Sequence, residues 1–396
     1  MDITIRPGKL QGSITVIPSK SQAHRLLICA AFADAPTRLY CPETNLDIEA
    51  TAGCLRALGA DIRREDTGYL VTPANTIPKA ATLPCGESGS TLRFLLPVAG
   101  ALGVDATFEL KGRLPQRPLS PLWEEMERMG CSLSRPTATT VRCYGQLKPG
   151  SYQIDGGVSS QFITGLLLAL SLLPAESRLE ITGKLESAPY IDITLAALHC
   201  FGADPAHPGK CPLRSPGAVT VEGDWSNGAF FLAAQALGSR LEILGLDPAS
   251  PQGDRAAAAL IPQLTKGNIT ISAADIPDLV PILSVVAAAN HGCTFTDIRR
   301  LRLKESDRVQ SVLDMLQALG GRAEATEDTL TVHGSHLTGG CVHSQNDHRI
   351  AMATAIAATV CTQPVTVLDA HAVTKSYPRF WEEYARLGGN YELNLR

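Results

Sequence analysis

Leu55-Arg56-Ala57-Leu58-Gly59-Ala60-Asp61-Ile62 reads as a helix C-terminus, a left-handed glycine and the first residues of a strand. The same pattern returns four times: Met126-Glu127-Arg128-Met129-Gly130-Cys131-Ser132-Leu133, Leu198-His199-Cys200-Phe201-Gly202-Ala203-Asp204, Leu316-Gln317-Ala318-Leu319-Gly320-Gly321-Arg322-Ala323 and Tyr384-Ala385-Arg386-Leu387-Gly388-Gly389-Asn390-Tyr391. Glycines 59, 130 and 202 are about 70 residues apart, as are 320 and 388; the gap from 202 to 320 is nearly two such periods. A degenerate copy, Ile261-Pro262-Gln263-Leu264-Thr265-Lys266-Gly267, falls inside that gap. One or two helix-Gly-strand junctions are ordinary in α/β proteins. Five at similar spacing predict six small α/β modules, three to a domain. A domain junction is expected near Val221-Glu222-Gly223-Asp224-Trp225.

Composition agrees with two globular domains: 396 residues, 44% hydrophobic and 19% charged. The formal net charge of -4 provides no overall basic field for nucleic acid or an anionic membrane, so anion recognition must come from local clustering. Eleven cysteines, an odd number without any Cys-x-x-Cys pair, predict scattered thiols rather than a disulfide framework. Met1 leads directly into Ile3-Thr4-Ile5 with no signal-peptide pattern, and the most apolar run, 163–173, is too short to span a bilayer. A cytoplasmic location is expected.

Five helix starts carry polar or cationic residues in their opening turns. Pro18-Ser19-Lys20-Ser21-Gln22-Ala23-His24-Arg25 opens a helix to about Ala33, and Gly86-Glu87-Ser88-Gly89-Ser90-Thr91-Leu92-Arg93 opens a second. Gly156-Gly157-Val158-Ser159-Ser160-Gln161, Lys304-Glu305-Ser306-Asp307-Arg308 and Asp347-His348-Arg349 precede three more. A helix N-terminus offers unpaired N–H groups and partial positive charge, glycine admits an oxyanion, and guanidinium groups add charge-assisted bonds. Each alone is ordinary capping. Together they predict a shared anionic pocket, to which Arg113-Leu114-Pro115-Gln116-Arg117-Pro118 and Lys375-Ser376-Tyr377-Pro378-Arg379 add charge.

In this order the segments resemble the 5-enolpyruvylshikimate-3-phosphate (EPSP) synthase family, the 3-phosphoshikimate 1-carboxyvinyltransferases, from Pro18 to Lys375. The most specific stretches are Asp155-Gly156-Gly157-Val158-Ser159-Ser160-Gln161-Phe162, Lys304-Glu305-Ser306-Asp307-Arg308 and Asp347-His348-Arg349-Ile350-Ala351-Met352. The resemblance implies the two-lobed α/β enolpyruvyl transferase fold, each lobe three βαβαββ repeats forming an inside-out α/β barrel. It implies lobes of residues 18–221 and of 1–17 plus 222–396. The implied reaction joins shikimate-3-phosphate to phosphoenolpyruvate and releases phosphate through a tetrahedral intermediate, with no metal or other cofactor. Monomeric organisation and closure of the lobes around shikimate-3-phosphate are also expected.

By the same resemblance, Lys20 lies beside both substrates, while Ser21, Arg25, Tyr190 and Lys304 face shikimate-3-phosphate. Ser159, Ser160 and Ser187 hold its phosphate, with Gln161 stacked between the substrates. Gly89, Arg117, Gln161 and Lys375 meet the phosphate of phosphoenolpyruvate, and Arg308 and Arg349 clamp its carboxylate. Arg93 matches a family arginine. Asp278 is the carboxylate at the 5-hydroxyl, and Glu305 exchanges a proton with the methylene carbon; Lys20, Asp278 and Glu305 form the implied catalytic set. Asp278 also reads as a helix N-cap before Leu279.

Glu87 departs from the family's usual Gly-Asn-Ala-Gly-Thr loop, and Phe94 stands where proline is common. Glu87 is expected to point away from the phosphate or pair with an arginine. The herbicide glyphosate is expected to compete with phosphoenolpyruvate. The nearest alternative is the enolpyruvyl transferase acting on UDP-N-acetylglucosamine, which usually carries a cysteine in the loop corresponding to 113–118; none occurs here. A non-catalytic anion-binding protein on the same scaffold is the other alternative, and Asp278 and Glu305 argue against it. His333, His336, Cys341 and His343 match no standard zinc spacing, and Gly86-Glu87-Ser88-Gly89-Ser90 lacks the last glycine of a hydrolase elbow. Nucleotide-binding glycine motifs are missing.

Overall fold

The computed structural model describes residues 1–394. The chain forms two compact units, one from Pro18–Glu222 and one from Met1–Ile17 with Gly223 onward. Glu222 belongs with the first, one residue beyond the sequence expectation. Its carbonyl accepts from Ser19 N–H at 2.7 Å, and its own N–H donates to the Gln22 side chain at 2.7 Å.

Within Pro18–Glu222 the module is complete in Ala80–Gly86, helix Gly89–Leu102, Asp105–Leu110, helix Leu122–Arg128, Cys131–Ser134 and Thr140–Gly145. Its first two strands pair in parallel, and the last two add antiparallel. A second sheet has the same pairing, Ala218–Thr220 supplying the parallel partner of Thr37–Tyr40 from the far end of the unit. The other unit repeats the scheme with Ile269–Ser272, Cys293–Thr296, Arg322–Ala325 and Thr329–His333. Its second four-stranded sheet is finished by the N-terminal strand Asp2–Arg6, between Val365–Leu368 and Asn390–Asn394.

The third module of each unit is shorter than the expected βαβαββ. Among the described residues Ser151–Asp155 pairs only with Arg178–Thr182, and Arg240–Leu244 only with Gln11–Thr15. After Gly202, Pro205, Pro208, Pro212 and Pro216 remove ladder donors, so no strand follows that glycine until Ala218–Thr220. After helix Ala257–Leu264 the next module's strand begins at Ile269, leaving no length for another pair. The five repeat glycines all have positive φ, between 69° and 114°, as their place after a helix requires.

Each unit has its own apolar core. Helices Gly89–Leu102, Ser160–Leu170, Val280–Ala288 and His348–Ala357 are buried almost throughout, whereas strands such as Thr37–Tyr40 alternate buried and exposed residues. Helices apolar on every side go to the centre and half-polar sheets go outside. Gly165 allows the helices Gly89–Leu102 and Ser160–Leu170 to touch: a Cβ there would lie 2.2 Å from the Arg93 carbonyl oxygen. Among the described residues no helix is long and apolar enough to cross a membrane.

Candidate active site

The expected helix starts form, and a capping side chain holds each. Ser19, Ser88, Ser159, Asp307 and Asp347 accept N–H groups at the heads of Lys20–Ala31, Gly89–Leu102, Ser160–Leu170, Arg308–Ala318 and His348–Ala357. These caps fix where the following polar residues emerge. Lys20 follows its cap directly, and its Nζ donates to Asp47 Oδ2 at 2.9 Å.

Behind Lys20, the structure buries Arg25. Its Nε donates to Thr194 Oγ1 at 2.7 Å, and Nη2 to Thr164 Oγ1 at 3.2 Å and the Tyr190 carbonyl at 2.9 Å. Its guanidinium also sits 4.9 Å from the centre of the Phe94 ring. Arg25 therefore ties Ser160–Leu170 and Ala188–Cys200 to Lys20–Ala31. Ser187 heads the helix Ala188–Cys200 with φ 59°, a left-handed conformation that is unusual for serine.

The glycine of the second helix start is enclosed by guanidinium groups. A Cβ on Gly89 would meet Arg117 Nη1 at 2.6 Å and Arg93 Nη1 at 2.8 Å. Arg93 Nη1 donates to Gln161 Oε1 at 2.8 Å, and Gln161 Nε2 donates to Ser90 Oγ at 3.0 Å. Gly89, Ser90, Arg93, Arg117 and Gln161 thus form one constellation, with backbone N–H groups and two cations around a position lacking a side chain. The Glu87 carboxyl packs over Gly112, whereas Arg117 and Arg93 are the groups that crowd Gly89.

Asp278 organises the polar centre of the other unit. Its Oδ1 accepts from Arg308 Nη1 at 2.7 Å and Lys304 Nζ at 3.4 Å, and Oδ2 accepts from Arg349 Nη2 at 3.1 Å. The N-cap reading is not realised: Leu279 occupies the cap of Val280–Ala288 without a side-chain bond. The carboxylate is drawn to the cations, a larger effect than one cap bond. Burial alone pushes the Asp278 carboxyl up, but Arg349, Lys304 and Arg308 together hold it well below the usual carboxylate range. For Lys304, burial lowers the ammonium more than Asp278 raises it.

Arg308 is 1% exposed and is shared among three carboxylates. Besides Asp278, it donates to Glu305 Oε2 at 2.8 Å and to Asp347 Oδ2 at 3.0 Å. Each of the three guanidinium nitrogens of Arg308 therefore already meets a carboxylate of its own unit. Lys375 Nζ donates to the Asn346 carbonyl at 2.8 Å, next to the start of His348–Ala357. The sequence reading did not single out Asp47, the partner of Lys20, and took Asp347 only as part of a helix start, not as the partner of Arg308. Their only local signals are a place in a helix's first turn and an N-cap position.

The remaining candidates do not join this chemistry. His333 pairs with Glu324 at 3.4 Å and His343 with Asp369 at 3.1 Å, on the exposed face of their sheets. Among the described residues no cluster of His, Cys, Asp and Glu has a metal-holding arrangement.

The family model for EPSP synthase (3-phosphoshikimate 1-carboxyvinyltransferase) matches residues 5–384. The chain is 37% identical to the 3-phosphoshikimate 1-carboxyvinyltransferase of Clostridium kluyveri and 36% identical to that of Clostridioides difficile, each covering 98% of both chains. Its fold is similar to EPSP synthase from Acinetobacter baumannii, with TM-score 0.81 and 23% identity over the whole of both chains. It is also similar to the enolpyruvyl transferase NikO from Streptomyces tendae, with TM-score 0.76 and 20% identity over 99% of this chain and 98% of that one. With the capped helix starts and the Asp278 cluster already in place, the family match over nearly the full length establishes that the chain belongs to the EPSP synthase family.

Proposed function

We propose that this protein transfers the carboxyvinyl group of phosphoenolpyruvate to the 5-hydroxyl of shikimate-3-phosphate, releasing inorganic phosphate, in the synthesis of chorismate and the aromatic amino acids. The observation that carries the mechanism is the position of Asp278 between Lys304, Arg308 and Arg349, with Glu305 on the same arginine.

The 5-hydroxyl oxygen bonds to C2 of phosphoenolpyruvate while C3 gains a proton, and the tetrahedral adduct then loses that C3 proton and phosphate. Asp278 takes the hydroxyl proton, Glu305 exchanges the C3 proton, and Lys20 stabilises charge beside both substrates. Substrate makes Asp278 a stronger base. When the carboxylate of phosphoenolpyruvate takes over Arg308 and Arg349, Asp278 loses the cations that depress its proton affinity.

Gly89, Arg117, Gln161 and Lys375 hold the leaving phosphate. Ser159, Ser160 and Ser187 hold the phosphate of shikimate-3-phosphate, with Ser21, Tyr190 and Lys304 along its ring. Arg25 faces shikimate-3-phosphate as well, and it braces the helices that carry these groups. The charge on Arg93, beside Gly89, adds it to the phosphate site. We place the protein in the cytoplasm as a monomer and expect glyphosate to compete with phosphoenolpyruvate.

Phosphate release from phosphoenolpyruvate tests the assignment, with shikimate-3-phosphate and UDP-N-acetylglucosamine as rival acceptors. Release with the shikimate ester alone is expected. Release only with the nucleotide sugar overturns the proposal, and release with neither favours the non-catalytic alternative.

A further inference from the structure

Behind the Asp278 cluster lies a carboxyl group that the reaction above does not use. Asp254 sits on the short 3-10 turn Gly253–Ala256 and is 3% exposed. Its Oδ2 is hydrogen-bonded to the Ser226 hydroxyl in the first turn of Trp225–Ala236, and its Oδ1 is buried with no hydrogen-bond partner. Gln252 fixes the turn against the same helix start, accepting from Trp225 N–H at 3.0 Å and donating to the Gly223 carbonyl at 2.8 Å. The position of the carboxyl is therefore imposed by packed backbone on both sides.

Asp254 makes no ion pair among the described residues, so the Ser226 hydroxyl bond only partly offsets the loss of water by its charged form. The charges facing it are Asp278 ahead of Val280–Ala288, Arg349 on His348–Ala357, and Asp224 at the cap of Trp225–Ala236. Burial first and Asp278 second push the Asp254 carboxyl up, to about 7, with Asp224 adding in the same direction; Arg349 and the Ser226 bond act against them. An ionised Asp254 and an ionised Asp278 both attract Arg349. A protonated Asp254 leaves Arg349 to Asp278 and to any incoming anion.

We propose that Asp254 is a positioning residue for the anion clamp: it takes a proton from solvent when Arg349 engages the carboxylate of phosphoenolpyruvate, and its ionisation draws Arg349 away from that carboxylate. The inference rests on the reading that Arg349 holds this carboxylate. It adds a proton-linked control that the acid/base pair Asp278 and Glu305 does not supply. By linkage, a group that must be protonated for binding weakens binding as pH rises through its pKa.

The test combines kinetics with direct titration. With saturating shikimate-3-phosphate, kcat/KM for phosphoenolpyruvate is measured from about pH 6 to about pH 8.5 for the wild type, Asp254→Asn and Ser226→Ala. The wild type is expected to fall above about pH 7, approaching a ~10-fold loss per pH unit, mainly through KM. Asp254→Asn should lose this limb, and Ser226→Ala should move it to higher pH because the stabilising hydroxyl is gone. The same limb persisting in Asp254→Asn, or a uniform loss with unchanged shape, overturns the proposal. In parallel, 13C spectra of protein labelled at aspartate carboxyls should contain one resonance that titrates near neutrality, disappears in Asp254→Asn and shifts in Ser226→Ala. Its midpoint should rise on adding phosphoenolpyruvate with shikimate-3-phosphate. An Asp254 carboxyl already ionised at pH 6 defeats the inference whatever the activity. Failure of the wild type to release phosphate defeats the functional reading instead.

Discussion

Asp347 accepts from Arg308 Nε with one carboxyl oxygen, at 3.0 Å, and with the other caps the helix that carries Arg349, accepting its N–H at 2.9 Å. One fully buried carboxylate thereby sets the position of both arginines assigned to the carboxylate of phosphoenolpyruvate. Asp347→Asn retains a cap but leaves Arg308 with one fewer anionic partner in a buried site. Loss of one partner of a buried pair costs about 3 kcal/mol, visible in urea unfolding. The same variant should raise KM for phosphoenolpyruvate at least ~10-fold, while KM for shikimate-3-phosphate changes less. Equal changes in both would mean that Asp347 serves the fold alone.

Lys20 and Asp47 form a pair of a different kind. Both side chains keep some contact with solvent, at 16% and 17% exposure, so the ion pair adds little stability. Asp47→Asn should shift the unfolding free energy by less than ~1 kcal/mol. Lys20→Met should leave stability similarly unaffected yet lower kcat by roughly 100-fold to 1000-fold, as expected for a cation placed at developing charge. Stopped-flow or steady-state phosphate release separates the two variants. A Lys20→Met enzyme with wild-type kcat would remove Lys20 from the catalytic set.

The contrast between these two pairs shows where sequence reading succeeds. Capping is local, so Ser19, Ser88, Ser159, Asp307 and Asp347 could be recognised at their helix starts from adjacent residues alone. The recurring helix-glycine-strand junction likewise exposed the modular α/β plan. Ion partners belong to tertiary structure. Asp47 meets Lys20 and Asp347 meets Arg308 because separate helix starts converge, and no periodicity within one element encodes that. Asp278 illustrates the competing pulls: its spacing suits a cap, but three nearby cations attract it more strongly. The missing strands of the third modules follow from prolines 205–216 on one side and a short connection on the other, details a repeat count passes over.

His24 provides a pH dependence of folding. It is fully buried on Lys20–Ala31, shares a 2.7 Å hydrogen bond with Thr51 and packs edge-on to Phe94. Burial first, then Lys20 and Arg25, lower its pKa well below 6.5. Between that depressed value and about 6.5 the unfolded chain binds a proton that the folded chain does not, so this contribution to stability rises with pH. Asp254, with its raised pKa, contributes the opposite slope between about 4 and 7, so the comparison must be with a His24 variant. The wild type should lose up to ~1.4 kcal/mol per pH unit relative to His24→Gln as pH falls below about 6.5. Parallel stability curves for the two proteins would show that His24 is protonated in the fold.

Gly89 and Gly165 predict opposite outcomes for the same substitution. At Gly165 an added methyl meets backbone, the Arg93 carbonyl at 2.2 Å, and the Pro97 ring at 2.9 Å. The helices can accommodate it only by moving apart, so Gly165→Ala should cost about 1–3 kcal/mol and lower the melting temperature. At Gly89 the methyl meets the ends of two flexible side chains, Arg117 and Arg93, which can swing away. Gly89→Ala should leave the melting temperature nearly unchanged while the arginines leave their place beside Gly89, the proposed phosphate site. KM for phosphoenolpyruvate should rise roughly 10-fold, and under the proposed competition the inhibition constant of glyphosate should rise by a similar or larger factor. Thermal unfolding and inhibition kinetics on the two variants make the comparison. If Gly89→Ala melts early and Gly165→Ala does not, the glycines have been assigned the wrong tasks.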